Sequence, residues 1–187
     1  VTPEDLANYK TELGLGDDSF PVIVAGSTHA PEEDFLFTAF TELRKQYPKA
    51  RLVIAPRRTD RVDEIRRLSG RFGYQTGFRS ELKNMKESRP KCPVVLIDTI
   101  GELGRIYAVG DMVFVGGSMT KGYGGHNVLE PAAHAKPILV GPDMLSFKDS
   151  YSLLTKAGAL HTVHDARELA KELLQIAGDR FLRKQMG

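Results

Sequence analysis

Short apolar runs alternate with longer, mostly polar segments along the whole chain. The runs are rich in valine and isoleucine, which favour β-strands, and each is too short for a helix. They occupy residues 20–25, 51–55, 94–97, 112–115, 138–140 and 159–163, and residues 73–78, which contain no valine or isoleucine, are predicted as a further short strand. In several of the intervening segments, apolar residues recur every three or four positions, which predicts helices that bury one face. One such face consists of Phe35, Leu36, Ala39, Phe40 and Leu43.

Strands that alternate with helices predict an α/β fold, a Rossmann-like parallel sheet with right-handed crossovers and helices on both faces. The length of 187 residues suits a single domain, 1–187, and no internal repeat divides it. The charged segment 79–91 shows no helical period, so we predict an irregular connection there. Ligands of open parallel sheets bind beyond the carboxyl ends of the strands. The residues that follow the strands are therefore the candidates for a site.

The most informative loop lies between the strand predicted at 112–115 and a helix start predicted at 127–131. It contains five glycines, Gly116, Gly117, Gly122, Gly124 and Gly125. Glycines let the backbone approach a phosphate, and free N–H groups at a helix start attract anions. Glu130, at that start, suits the two hydroxyls of a ribose. The loop favours a nucleotide-phosphate site, but its spacing is neither that of the dinucleotide fold nor that of the P-loop. An ordinary loop before a capped helix is the alternative.

Arg57 follows Pro56 at the end of another predicted strand. Its planar guanidinium can pair with a phosphate or with a sugar carboxylate. The alternative is a surface ion pair with Asp60. We interpret the further arginines up to Arg71 as a solvated helix face.

Two more strand ends are each open to two interpretations. Residues 99–103 can frame a base, because Gly101 allows a close approach of the backbone beside Ile100. They can equally form a plain helix start in which Glu102 is a favourable first-turn charge. Residues 27–29 can reach a donor sugar or cap the first long helix.

Composition and charge narrow the possible functions. The net charge is only +2 and no aromatic platform accompanies the arginines, so nucleic acid is not an expected partner. No apolar run reaches about 18 residues, so no membrane span is predicted. Cys92 is the single cysteine, which excludes an internal disulfide. The five histidines lack a zinc spacing, so we expect no metal, and His126 is the best functional candidate among them. Glu32 and Glu33 are interpreted as charges that favour the dipole of the helix they begin.

Taken together, these segments resemble the Kdo (3-deoxy-D-manno-octulosonic acid) transferases. The resemblance runs from about residue 21 to residue 149, and its motifs occur in the family's order. They are residues 25–29 with Glu32 and Glu33, then 55–57, 98–103, 116–118, 124–127, 129–133, 141–142 and 147–149. Arg58 departs from the family pattern, in which a histidine is expected after Pro56 and Arg57.

The resemblance implies the C-terminal domain of a glycosyltransferase B fold, the half that binds the donor CMP-Kdo. It implies a full-length enzyme that transfers Kdo to a lipid A precursor in lipopolysaccharide biosynthesis, at the cytoplasmic face of the bacterial inner membrane. In the family the catalytic base lies in the N-terminal, acceptor-binding half. We therefore expect this chain to lack that half, to contain no catalytic base and to be inactive alone. No cofactor or metal is implied.

The donor contacts that the resemblance implies are spread over four strand ends. They are Ser27, Thr28, His29, Pro56, Arg57, Thr99, Ile100, Gly101, Glu102, Leu103, Gly116, Gly117, Ser118, Gly124, Gly125, His126, Asn127 and Glu130.

Two other functions fit the same pattern. A nucleotide-sugar epimerase, or another nucleotide-sugar transferase of this fold, shares a glycine loop and a helix carboxylate but prefers UDP or GDP. A non-enzymatic α/β nucleotide-binding or regulatory module shows no nucleotide preference. Base preference therefore separates the three functions.

Overall fold

The structure, a computed structural model, describes residues 2–85 and 90–187. Within these residues seven strands form one sheet in which every neighbouring pair is parallel. The strands are β1 (Val22–Thr28), β2 (Arg51–Pro56), β3 (Thr76–Phe78), β4 (Val94–Leu96), β5 (Met112–Val115), β6 (Ile138–Val140) and β7 (Leu160–Thr162). The helices are α1 (Pro3–Glu12), α2 (Glu32–Gln46), α3 (Val62–Arg71), α4 (Arg79–Asn84), α5 (Leu103–Val109), α6 (Leu129–Ala132), α7 (Lys148–Lys156), α8 (Ala166–Gly178) and α9 (Arg180–Met186).

Helices cover both faces of the sheet, which confirms the predicted fold class. On one face α2 and α8 pack through residues such as Phe40 and Leu173. On the other face α1 and α5 pack through residues such as Tyr9 and Ile106. The central strands are buried on both sides, and this is why their sequences are continuous apolar runs rather than alternating ones.

The strand order is β3-β4-β2-β1-β5-β6-β7, so the first strand of the chain, β1, lies in the middle of the sheet. From β1 the sheet grows in one direction to β3, and the chain then returns to add β5, β6 and β7 on the other side. The helix after β1 lies on one face, and the residues that follow the glycine loop after β5 pack on the other. A crevice therefore opens between the carboxyl ends of β1 and β5, where folds of this type bind ligands.

Two elements differ from the sequence prediction. The segment predicted as an irregular connection contains α4, which buries Arg79 and Leu82. One apolar side chain in six residues gives no period, and residues 86–89 of that connection lie outside the described residues. The helix expected after the glycine loop is the single turn α6, with Pro131 at its third position rather than its first. One turn aligns few peptide dipoles, so α6 contributes less to an anion site than expected.

Phe40→Ala should lower the free energy of unfolding by about 3–5 kcal/mol, because it leaves a cavity in the packed core. Phe40 is 1% exposed, between α2 and the sheet. Phe181→Ala removes the same atoms from a side chain that is 77% exposed, and should change stability by less than about 0.5 kcal/mol. Chemical denaturation of both variants measures the difference, and equal losses would contradict this core.

Candidate functional site

Two histidines meet across the crevice between β1 and β5. His29 follows β1, His126 lies in the glycine loop after β5, and their Nε2 atoms are 3.0 Å apart. The two rings are nearly parallel, with centroids 5.2 Å apart, and Tyr123 stacks on His29 at 3.9 Å. Two predicted site residues, 97 positions apart in sequence, are thus brought together. Tyr123 was missed, although it lies within the glycine loop.

The histidine pair is uncharged at neutral pH. Burial lowers the pKa of both rings, and that of His126 to about 4. The neighbouring His29 and Arg57 lower the pKa of His126 further, since a second positive charge nearby is unfavourable. One Nε2 therefore carries a hydrogen and donates a hydrogen bond to the lone pair of the other Nε2.

Glu32 binds the glycine loop from within. Its side chain is fully buried, and its carboxylate accepts hydrogen bonds from the backbone N–H groups of Gly117, Ser118 and Met119 at 2.8–2.9 Å. It also accepts one from the N–H of His29 at 2.9 Å. We expected these loop amides to face a phosphate and Glu32 to act only on the helix dipole. Both expectations are corrected, because the protein's own carboxylate occupies the amides.

The backbone passes so close to this carboxylate that a side chain does not fit there. A Cβ atom placed on Gly116 would lie 2.8 Å from Glu32 Oε2 and 2.6 Å from the carbonyl oxygen of Ser27. Gly116 is therefore required for close approach, but the groups that approach are the backbone of Ser27 and Thr28 and an internal carboxylate rather than a ligand.

Asp143 holds the second half of the same loop. Its Oδ2 accepts hydrogen bonds from the N–H groups of Gly122 at 2.6 Å and of Gly124 at 3.2 Å. The bond from Gly122 is the main reason why the pKa of Asp143 lies below its usual value. The sequence pattern did not indicate Asp143 as a site residue, although it directly follows the Gly141–Pro142 motif of the resemblance.

Some predicted donor contacts point into the protein. The buried Thr28 hydroxyl donates to Glu33 at 2.8 Å, and Glu33 pairs with Arg61 at 2.9 Å. The buried Ser118 hydroxyl donates to the carbonyl oxygen of Val115 at 2.6 Å. These side chains organise the strand ends rather than line the crevice.

The backbone N–H groups of His126, Asn127 and Val128 have no hydrogen-bond partner among the described residues. They lie at the end of the glycine loop, immediately before α6. Val128 is fully buried, so His126 and Asn127 are the two whose N–H groups an anion bound beside His126 can contact.

Arg57 and Ile100 line one cavity of about 320 Å³. Asp60 pairs with Arg58 at 2.6 Å and not with Arg57, so the predicted alternative for Arg57 does not hold. Within the described ranges the exposed Arg57 guanidinium makes no hydrogen bond or ion pair. Ile100 is 88% exposed, and Gly101 has a φ of +85°, which favours glycine. This cavity combines a free positive charge with an exposed apolar side chain.

The two candidate glutamates have different surroundings. Glu102 accepts a hydrogen bond from Tyr9 and pairs with Arg79 at 2.9 Å, so its carboxylate is already occupied. Glu130 is exposed, and its one hydrogen bond within the described residues comes from Asn127 Nδ2 at 3.2 Å. Glu130 is therefore the carboxylate available to a ligand.

Neither a metal-binding cluster nor a membrane-spanning helix is found among the described residues. In the described ranges no three His, Cys, Asp or Glu side chains cluster as metal ligands. None of the described helices has the length and apolarity needed to cross a membrane.

Comparison with curated proteins identifies relatives over most of the chain, whereas no family model matches it. The 3-deoxy-D-manno-octulosonic acid transferase of Aquifex aeolicus is 32% identical over 154 residues, and that of Haemophilus influenzae is 30% identical over 168 residues. The matches cover 82% and 89% of this chain but 41% and 38% of the relatives. The chain thus spans about two fifths of the length of these relatives.

One solved structure matches nearly the entire fold. It is the C-terminal CMP-Kdo binding domain of WaaA from Acinetobacter baumannii, with a TM-score of 0.86 and 27% identity. The match covers 98% of this chain and 92% of that domain. By sequence and by fold, the chain is a homologue of the C-terminal domain of the Kdo transferases.

Proposed function

We propose that this chain is the donor-binding domain of a Kdo transferase and binds CMP-Kdo in the crevice between β1 and β5. The observation that carries the proposal is the set of unoccupied polar groups at this edge of the sheet. Among the described residues, the Arg57 guanidinium and the N–H groups of His126 and Asn127 have no hydrogen-bond partner, and the exposed Glu130 carboxylate has only Asn127. These groups belong to motifs shared with the family.

Each group has a role that its chemistry suits. Arg57 and the N–H groups of His126 and Asn127 bind the phosphate or the Kdo carboxylate, both of which are anionic. Glu130 accepts hydrogen bonds from the ribose hydroxyls. The backbone of residues 99–101, with the Ile100 side chain, frames the cytosine. Burial of Ile100 by the base contributes up to about 1.5–3 kcal/mol.

In the proposed reaction, an acceptor hydroxyl on a lipid A precursor attacks the anomeric carbon of Kdo. A new C–O bond forms, the bond from that carbon to the phosphate oxygen breaks, and CMP leaves with the bonding electrons. The hydroxyl proton passes to a base supplied by an N-terminal half of the enzyme. Arg57 and the free N–H groups stabilise the charge that develops on the phosphate. The full-length enzyme acts at the cytoplasmic face of the inner membrane, where such an acceptor is accessible.

The chain should bind CMP more tightly than UMP or GMP, because the amide and carbonyl groups of residues 99–101 are fixed in position and select a hydrogen-bonding edge. Isothermal titration calorimetry with the three nucleotides checks this preference. A preference for UMP or GMP would favour an epimerase or a different transferase, and equal affinity or no binding would remove the donor-site assignment.

Glu130→Gln should weaken CMP binding by about tenfold, or about 1.4 kcal/mol, because an amide is a poorer acceptor for two ribose hydroxyls than a carboxylate. Glu130 is exposed and its one hydrogen bond among the described residues, from Asn127, can be kept by the Gln oxygen, so the melting temperature should change little. Glu42→Gln, an exposed glutamate of α2, is the matched control and should alter neither quantity. Unchanged affinity with a lower melting temperature would make Glu130 a structural residue.

CMP affinity should rise as the pH falls from 7 towards 5. An anion bound beside His126 favours its protonated form, so the pKa of about 4 in the free protein rises in the complex. Affinity then increases as the pH falls through the higher, bound-state pKa and levels off below about 4. Each unit by which binding raises the pKa adds up to tenfold.

His126→Gln is the control for this pH dependence, because the phosphate of CMP itself titrates near pH 6. Calorimetry at several pH values, on both proteins, isolates the contribution of His126. Identical profiles for the variant and the unmodified chain would show that the anion does not lie beside His126.

A further inference from the structure

Two adjacent residues of α4 hold both ends of the loop that we assign to the base. The loop residues 99–101 lie between two carboxylates, Asp98 and Glu102. Asp98 accepts hydrogen bonds from the backbone N–H of Ser80 at 2.9 Å and from its hydroxyl. Glu102 pairs with Arg79 Nε at 2.9 Å. The helix that the sequence pattern did not reveal is therefore attached to both sides of this loop.

Arg79 is buried, and its guanidinium is held by several neighbouring side chains. It is 2% exposed, and its Nη2 atom donates to Glu12 at 2.7 Å. The ring of Tyr9 lies 4.9 Å from the guanidinium of Arg79 and 4.9 Å from that of Arg105, and its hydroxyl donates to Glu102. The attachment thus extends from α4 through Glu102 to α1.

Among the residues that the structure describes, few other interactions hold this loop in place. Ile100 is 88% exposed, and a Cβ atom added to Gly101 would meet no atom within 4 Å. Burial opposes ionisation of Glu102, but the hydrogen bonds from Tyr9 and Arg79 outweigh it and hold the pKa of this carboxyl below its usual value. Glu102 is therefore charged at neutral pH and keeps its ion pair. The conformation of residues 99–101 depends on the two bracketing carboxylates.

We propose that Arg79 and Ser80 are positioning residues for base recognition, which through Glu102 and Asp98 hold the backbone of residues 99–101 in the geometry that distinguishes cytosine from other bases. The inference rests on the proposed function, since it requires that this loop reads the base. The two residues thus affect the selectivity between bases from behind the crevice, without contacting the ligand. Loss of either attachment lets the loop relax, and the selectivity between bases falls more than the affinity for the nucleotide as a whole.

The test compares variants of the 187-residue chain. Ser80→Ala removes the hydroxyl bond to Asp98, and Glu102→Gln weakens the pair with Arg79. Glu42→Gln is the matched control, because it removes the charge of an exposed glutamate that pairs with Lys45 on α2 and takes no part in this network. Each variant is titrated with CMP and with UMP, its melting temperature is recorded, and amide hydrogen exchange is followed at residues 99–103.

We expect Ser80→Ala and Glu102→Gln to reduce the ratio of CMP to UMP affinity at least threefold and to speed exchange at residues 99–103. Glu42→Gln should keep the ratio and the exchange rates. If the unmodified chain prefers CMP and both loop variants keep that preference, the positioning role is overturned and the proposed function stands. If the unmodified chain shows no preference for CMP, the proposed function fails, and the base-reading role fails with it.

Discussion

The carboxylate of Glu32 is the group on which the geometry of the site depends. It is buried at the start of α2 and accepts four backbone N–H groups from two loops. A buried carboxylate without partners costs several kcal/mol, so the folded state keeps this charge inside only while those donors stay in place. Because one loop follows β1 and the other follows β5, this requirement fixes the two walls of the crevice relative to each other. The histidine pair and the free N–H groups lie on the loops so held.

The sequence predicted the fold well where structure depends on local pattern. All seven strands were predicted, and the five inner ones, which are buried on both faces, appear as continuous apolar runs. The starts of the last two helices also depend on local residues, since Asp165 and Asp179 each accept hydrogen bonds from two backbone N–H groups. The pattern failed at α4, where a charged residue, Arg79, is buried by distant partners. The pattern also predicted a longer helix than α6, because the loop and the helix share small and polar residues there.

The site was predictable in its location but not in its contacts. Strand ends in a parallel sheet converge whatever their side chains, so the region followed from the fold. Which atoms face outward depends on pairs far apart in sequence. Glu32 binds Ser118 across 86 positions, and Arg79 binds Glu102 across 23. A glycine loop also looks the same whether its N–H groups bind a phosphate or an internal carboxylate, so the sequence could not separate these cases.

Gly116 and Glu32 limit which positions at this edge of the sheet can be altered. A Cβ atom at position 116 would lie 2.6 Å from the carbonyl oxygen of Ser27 and 2.8 Å from Glu32 Oε2, and a residue at position 32 too short to reach residues 117–119 would leave their N–H groups without an acceptor. We therefore expect substitutions that change ligand preference to be tolerated at exposed positions such as Arg57, Ile100 and Glu130 rather than at this pair.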